Sequence, residues 1–437
     1  MLFSPVHIRL ARPNSLVSML SRWRYQALGG LFFATVLPYL VRIFVSSEYI
    51  GMRQLNLTLL WSAVAVIIGN WLWRNVSLFP GLEASTLLIP TFSVSFAAVS
   101  IFLAIGRFEY ARSQLIAGFI ISIIWFYFVR HIAQRHQWLR IGYLPFGAVD
   151  ELPQMPHISW IKLTGEDCSA GTRAATRFFD VVAADLRIDL PDHWERALSD
   201  FALAGVPVYH VKSLTESLTG KVQLEHLSEN SFGSLIPNVS FLIIKRLVDW
   251  IVAAIAGVIL LIPCIVVGII IKITSPGPAL FRQLRVGFRG KPFMVYKFRT
   301  MQVAEPDPAS ERRAAMTQAR DARVTPLGRI LRHSRIDELP QIINILKGEM
   351  SWIGPRPEAE VLSRWYETQI PFYRYRHIVI PGLTGWAQIT QGHVAEIEDV
   401  RDKLHYDFYY IKNFSLWMDL LIIGRTIKTV ITGHGSR

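Results

Sequence analysis

Cysteine is nearly absent: the 437 residues hold two, Cys168 and Cys264, and the second lies inside an apolar run. That excludes a disulfide framework and a cysteine-based zinc site. Lysine is missing altogether from the first 140 residues, where 12 Arg stand against only three acids, Glu48, Glu83 and Glu109, a net of +9. No G-x-G-x-x-G follows any strand-like run, so the dinucleotide fingerprint is lacking as well. Charged residues make up only 18% of the chain. With 51% hydrophobic residues and a mean hydropathy of +0.31, the chain is too apolar for an ordinary soluble enzyme and far from disordered.

The whole chain carries a formal charge of +13, which would suit either nucleic acid or lipid headgroups. Its distribution decides. Residues 141–437 hold 34 basic and 30 acidic side chains, so most of the excess belongs to the apolar first third. Four apolar stretches occur there, near 25–45, 55–73, 86–105 and 114–129. At 1.5 Å per residue each matches a hydrocarbon core of about 30 Å, and none has the polar face of a soluble helix. A transmembrane module over 1–140 is expected, with the charge directed at lipid and no nucleic-acid partner.

Arg9, Arg12, Arg22 and Arg24 precede the first stretch, and Arg130, Arg135 and Arg140 follow the fourth. The positive-inside rule therefore places both ends in the cytoplasm. Arg107 and Arg112, between the third and fourth stretches, run against this, but the flanks are the heavier signal. No charge sits mid-span, which disfavours a transporter.

From 141 to 240 the composition becomes that of a small α/β domain. Strand-like runs at Ile141–Leu144, Ile158–Leu163, Phe179–Val182 and Val206–Val211 surround a helical stretch from His193 to Ala204, ended by Gly205. A small parallel sheet in a degenerate Rossmann-like domain is expected, with a structural or regulatory role.

Residues 241–437 open with an uncharged run, Trp250–Ile271, interrupted by Pro263. Proline removes a helical hydrogen bond, so a kink is expected near its centre. Basic residues flank the run on both sides, which suits a hairpin returning to one leaflet; a full span is the alternative. Beyond it, Lys297-Phe298-Arg299-Thr300, Arg329, Arg332, Arg335, Asp337-Glu338 and Gly354-Pro355-Arg356-Pro357 are gathered within about 60 residues. Cations around a carboxylate pair suit a Mg²⁺-bound diphosphate, and a second carboxylate could attack phosphorus. A local alternative exists: Ser334 to Asp337 fits a capping box. In either case a helix N-terminus would favour ionised acids. The segment from Asp407 to Trp417 reads as amphipathic and interfacial.

From Lys245 onward the sequence resembles the bacterial sugar transferase family, the polyprenyl-phosphate hexose-1-phosphate transferases. The matching strings are Lys245-Arg246 with Asp249, Ser275-Pro276-Gly277-Pro278, Phe281-Arg282-Gln283, Arg285-Val286-Gly287, Lys297-Phe298-Arg299-Thr300-Met301, Asp321 with Arg323 and Thr325, Asp337-Glu338-Leu339-Pro340-Gln341, Lys347-Gly348, Gly354-Pro355-Arg356-Pro357 and Pro381-Gly382-Leu383-Thr384-Gly385. Glu349, Ile336 and Ile262 depart from the commoner residues.

The resemblance implies a mainly α membrane-associated catalytic domain, with the helix at 249–272 re-entrant and broken at Pro263. It implies Asp337 as nucleophile, Glu338 as the catalytic Mg²⁺ ligand, and Lys297, Arg299, Arg332 and Arg356 as phosphate-binding cations. The implied reaction carries a hexose-1-phosphate, glucose or galactose being expected, from a UDP-hexose to undecaprenyl phosphate with release of UMP, opening exopolysaccharide, capsule or O-antigen synthesis. The implied setting is the cytoplasmic face of the bacterial inner membrane, in a multi-pass protein, with a homodimer among the assemblies it allows. A lipid-directed glycosyltransferase releasing UDP and a catalytically silent scaffold are the alternatives.

Overall fold

A computed structural model describes residues 22–45, 51–76, 88–134, 139–147, 149, 152–155, 158–164, 179–222, 239–302, 323–391 and 397–432. Arg9, Arg12, Arg135, Cys168 and Asp321 lie outside the described residues. The chain divides into two compact units, Met1–Gly220 and Lys221–Arg437.

In the first unit the apolar stretches are helical: α1 (Trp23–Leu31) and α2 (Leu37–Val45), joined by a π-helical turn at Phe32–Val36, then α3 (Met52–Val76), α4 (Leu88–Ile105) and α5 (Arg112–Gln134). Their inward faces meet at aromatic rings, with Phe92 against Phe126 at 4.9 Å. Some polar groups among them pair internally: the Thr58 hydroxyl accepts from the Ala111 amide at 2.9 Å and the Ser122 hydroxyl donates to the Gly118 carbonyl at 2.7 Å. The outward faces carry Leu60, Ile67, Trp71, Ile101, Ile116 and Ile124, all exposed. A surface of that kind belongs in lipid. Among the described residues, five helices are long and apolar enough to cross a membrane, the fifth being in the second unit.

The α/β part of this unit is a four-stranded all-parallel sheet in the order β2-β1-β3-β4, with β1 Leu139–Tyr143, β2 Ile158–Lys162, β3 Val181–Ala184 and β4 Val208–His210. Between β3 and β4 runs α6 (Asp192–Leu203), whose Trp194, Ala197, Leu198 and Phe201 pack on Val182 and Ala184. The chain leaves α6 through Gly205 at φ +82°. The sheet ends in α7 (Val211–Thr219), capped by the His210 side chain, which accepts from the Lys212 amide. The expected small parallel sheet is thus present.

The second unit is organised by α8 (Val239–Thr274). Where a break at Pro263 was expected, the helix runs through without interruption. One missing hydrogen bond inside a long apolar helix is outweighed by the ladder on either side. Only 6% of its most apolar window is buried, so the helix shows the protein a single narrow face. Lys245, Asp249, Ala253 and Ile271 are the buried positions along it. Spacings of four and eighteen residues keep them on one side of a helix of about 3.6 residues per turn.

Two patches of that face hold the elements that follow it. Ala253 packs with Phe293, Val295, Ile342, Ile345 and Met350, and Ile271 with Phe298 and Leu331. These come from the antiparallel hairpin β5 (Leu280–Val286) and β6 (Pro292–Phe298), from α9 (Pro326–His333), and from a 3₁₀ turn at Ile336–Gln341 that continues into α10 (Ile342–Leu346). Asn344 joins strand to helix: its amide donates to the Met294 carbonyl and the Glu349 carboxylate at 2.7 Å each and accepts from the Tyr296 amide at 3.2 Å. A Lys245–Asp419 ion pair at 2.6 Å ties α8 to the last helix, α14 below.

Further on come β7 (Ser351–Ile353), α11 (Glu360–Gln369), a 3₁₀ turn at Tyr373–Ile378, β8 (Gly382–Thr384), α12 (Trp386–Thr390), α13 (Ile397–Lys412) and α14 (Leu416–Thr432). β7 and β8 pair in parallel, bringing the Gly354-Pro355-Arg356-Pro357 and Pro381–Gly385 segments together. Glycine is required at this contact: a Cβ on Gly382 would overlap the Gly354 backbone, and one on Gly354 would overlap the Ile380 carbonyl. Of the segment expected to be interfacial, the first half is internal, since Asp407, Phe408, Tyr409, Tyr410 and Ile411 are all buried, whereas Leu416 in its second half is 55% exposed.

Asn344→Ala removes three hydrogen bonds and strands buried partners at β6, so it should destabilise this half by about 2–3 kcal/mol. The expected reading is a lowered unfolding midpoint by tryptophan fluorescence in detergent, with an unchanged midpoint counting against the clamp.

Candidate active site

α9 ends at Ser334, whose hydroxyl donates back to the Ile330 carbonyl at 2.8 Å. Arg335 then adopts a left-handed conformation, φ 59° and ψ 13°, unusual for a residue with a side chain. This reversal turns the next residues inward, and Asp337 and Glu338 are 8% and 7% exposed. The capping box is not formed, because Ser334 closes the preceding helix and the 3₁₀ turn has no side-chain cap.

Every ion-pair contact of Glu338 falls on one oxygen, Oε1. Arg356 lies at 2.6 Å, Lys297 at 3.2 Å and Arg335 at 3.7 Å. The first two come from the loop after β7 and from β6; both are largely buried, whereas Arg335 is half exposed and its attraction is correspondingly screened. Burial alone would raise the Glu338 carboxyl, but the Arg356 and Lys297 charges outweigh it and hold the group well below the ordinary range.

Asp337 behaves oppositely. Burial and the neighbouring Glu338 charge push its pKa up, offset only in part by Lys297 and Arg356. The expectation that a helix N-terminus would favour its ionised form is therefore corrected. Its Oδ1 is buried without a hydrogen-bond partner. An orphaned buried carboxylate oxygen is costly unless something binds there. Lys297 is lowered to about 8, first by burial, then by the Arg356 charge, with Glu338 opposing. Arg285 is lowered to about 10, again by burial first and by Arg356 second. The pocket therefore holds mutually repelling cations around one deep carboxylate, which suits a polyanionic ligand.

The remaining expected cations are placed otherwise. Arg299 donates to the carbonyls of Ser275 and Pro276 at 2.7 and 2.9 Å, closing the end of α8. Arg332 donates through Nε to the Thr300 hydroxyl at 2.9 Å and makes no ion pair with Asp337 or Glu338. Arg335, one of the cations gathered near the pair in sequence, does reach Glu338, and Arg285, from the Arg285-Val286-Gly287 string, donates a guanidinium N–H to the Pro357 carbonyl in the Arg356 loop.

A divalent cation can be tested against the donors present. Among the described residues no group of three His, Cys, Asp or Glu could hold a metal alone. Magnesium is commonly held by one or two carboxylates completed by substrate phosphates. Glu338 is an ionised carboxylate here, and Asp337 Oδ1 is buried without a hydrogen-bond partner. That donor set fits magnesium only together with a phosphate ligand.

Lys297 is charged below about pH 8 and neutral above it. Affinity for inorganic pyrophosphate, measured by calorimetry, should therefore fall several-fold between pH 7 and pH 9. Lys297→Arg should flatten that fall, since guanidinium stays charged.

The bacterial sugar transferase family profile matches residues 240–433. The chain is 40% identical over 414 residues to UDP-N-acetylgalactosamine-undecaprenyl-phosphate N-acetylgalactosaminephosphotransferase of Aeromonas hydrophila, covering 93% of this chain and 94% of that one. It is 42% identical over 202 residues to UDP-glucose:undecaprenyl-phosphate glucose-1-phosphate transferase of Caulobacter vibrioides, 46% of this chain and 74% of that one. A third relative, an exopolysaccharide production protein of Rhizobium leguminosarum bv. phaseoli, is 39% identical over 197 residues, 44% of this chain and 96% of its own length.

Proposed function

The chain belongs to the bacterial sugar transferase family, and on that premise we propose that it transfers a sugar-1-phosphate from a UDP-sugar to undecaprenyl phosphate, releasing UMP, through a phosphoaspartyl intermediate on Asp337. The observation that carries the reading is Asp337 Oδ1, buried and unpartnered beside a carboxylate that the Arg356 and Lys297 cations keep ionised.

In the first half-reaction an Asp337 oxygen attacks the sugar-bearing phosphorus of the donor. The bond from that phosphorus to the bridging oxygen breaks, and UMP departs with the electron pair. In the second, a phosphate oxygen of the polyprenyl acceptor attacks the same phosphorus and the aspartate leaves as carboxylate. Neither half-reaction needs a net proton, so no histidine is required. Lys297 and Arg356 bind the non-bridging oxygens whose charge grows during transfer, and Arg335 adds a weaker, solvent-screened attraction. Glu338 holds these cations in register. Magnesium, when bound, would be held by Glu338 together with donor oxygens, and would supply charge neutralisation at the leaving phosphate.

α8, with its outward apolar surface, keeps the pocket beside the bilayer, where a lipid phosphate and a soluble nucleotide both arrive. The reading places the pocket at the cytoplasmic face of the inner membrane, in polysaccharide synthesis, with both substrates meeting a single enzyme. The relative aligned over nearly the whole chain is named for UDP-N-acetylgalactosamine, and the Caulobacter relative, aligned over 46% of the chain, for UDP-glucose. The donor class is accordingly a UDP-hexose or UDP-N-acetylhexosamine, which widens the glucose or galactose expected from sequence.

Incubation with undecaprenyl phosphate and UDP-glucose, UDP-galactose or UDP-N-acetylgalactosamine should release UMP; release of UDP would sink phosphotransfer. Asp337→Asn should lower turnover on the order of 10³-fold or more and abolish the covalent adduct by mass spectrometry. Glu338→Gln should weaken the dependence on added magnesium, and an unchanged titration would remove Glu338 as its ligand.

A further inference from the structure

The run Tyr373-Arg374-Tyr375-Arg376-His377 reads as a basic surface segment. The structure splits it. Arg374 faces solvent with an 80% exposed side chain, while Arg376 turns inward and is 3% exposed. A buried guanidinium is costly unless its donors are met. Here they are: one nitrogen donates to the Tyr373 hydroxyl at 2.6 Å, and another donates to the Arg356 carbonyl at 2.9 Å while lying 2.8 Å from Asp407 Oδ2, an ion pair outside hydrogen-bond alignment.

The carbonyl it holds belongs to the residue whose own guanidinium sits on Glu338. The neighbouring positions are also held by cations, since Arg285 takes the Pro357 carbonyl and Lys403 the Glu358 carboxylate at 2.5 Å. Lys403 and Asp407 lie four residues apart on α13, so one helix face supplies both the cation for Glu358 and the anion for Arg376.

We propose that Arg376 is a positioning residue for the transfer: by gripping the Arg356 backbone, with Asp407 and Tyr373 aiming it, Arg376 sets the Arg356 guanidinium at the place where the donor diphosphate must bind. The proposal rests on the phosphotransfer reading of the site. Its physical ground is that the Arg356 side chain is long and rotatable, so its tip is only as well placed as its backbone, and a misplacement of about 1 Å can cost 10²-fold in rate.

The test is a double-mutant cycle of Arg376→Lys with Arg356→Ala, read on UMP release and, independently of turnover, on UDP binding by calorimetry. Lysine keeps the charge opposite Asp407 but cannot serve the carbonyl and the hydroxyl together. Arg376→Lys alone should lower kcat/KM by about 10–100-fold with a thermal midpoint near that of the parent, and should weaken UDP binding. In the Arg356→Ala background the same change should cost little more, because the group it positions is gone. Equal losses in both backgrounds, in turnover and in binding, would overturn the proposal, as would an Arg376→Lys protein with unaltered kcat, KM and UDP affinity. Should Arg376→Lys fold poorly, Asp407→Asn is the milder change, expected to show a smaller loss with the same dependence on Arg356. Release of UDP by the unsubstituted protein would end the phosphotransfer reading while the UDP-binding cycle still decides the role of Arg376.

Discussion

One carboxylate oxygen, Glu338 Oε1, is the point on which the catalytic half converges. A strand supplies Lys297, a left-handed turn supplies Arg335, and the loop after a short parallel pair supplies Arg356. Neither Lys297 nor Arg356 could be buried so far alone, because the desolvation of a charge in a protein interior amounts to several kcal/mol. Together with Glu338 they are tolerated, and their mutual attraction sets the relative placement of segments that are distant in sequence. Asp337, next along the chain, receives the rest of the electrostatic balance: burial and the Glu338 charge push its pKa up, and Lys297 and Arg356 offset part of that rise.

That convergence is supported by features with no chemistry of their own. A narrow face of α8 packs at two patches against the elements carrying Lys297 and Glu338. Asn344 locks strand to helix through three hydrogen bonds. The contact between Gly354 and Gly382 lets two backbones approach as no side chain would permit. The apolar helix thus has two functions at once, exposing most of its surface to lipid while serving as the wall on which the polar pocket is mounted.

Sequence exposed the parts of this arrangement that depend on local pattern. The apolar runs, the parallel sheet and the Asp337-Glu338 pair with Lys297 and Arg356 are all visible as strings. What it could not expose is which cation meets which partner. Arg299 and Arg332 stand in equally basic company, yet one closes the end of α8 and the other bonds Thr300. Arg376 looks like a surface residue because the two-sided character of its segment arises only when Phe372 takes a positive φ of 61° and reverses the chain. The internal location of Asp407–Ile411 is of the same kind, since an amphipathic pattern does not say whether its apolar side faces lipid or protein. The upward shift of Asp337 has a related origin: burial and a like charge are properties of the three-dimensional neighbourhood, whereas a helix terminus is visible from spacing.

The repulsion among Lys297, Arg285 and Arg356 has a consequence for the life of the protein as well as for its chemistry. Burial and the Arg356 charge drive Lys297 and Arg285 toward their neutral forms, and an anion bound beside them would oppose that drive. Ligand that favours the folded form shifts the folding equilibrium by mass action. An anion held at this site would therefore also steady the fold around it, coupling occupancy to stability.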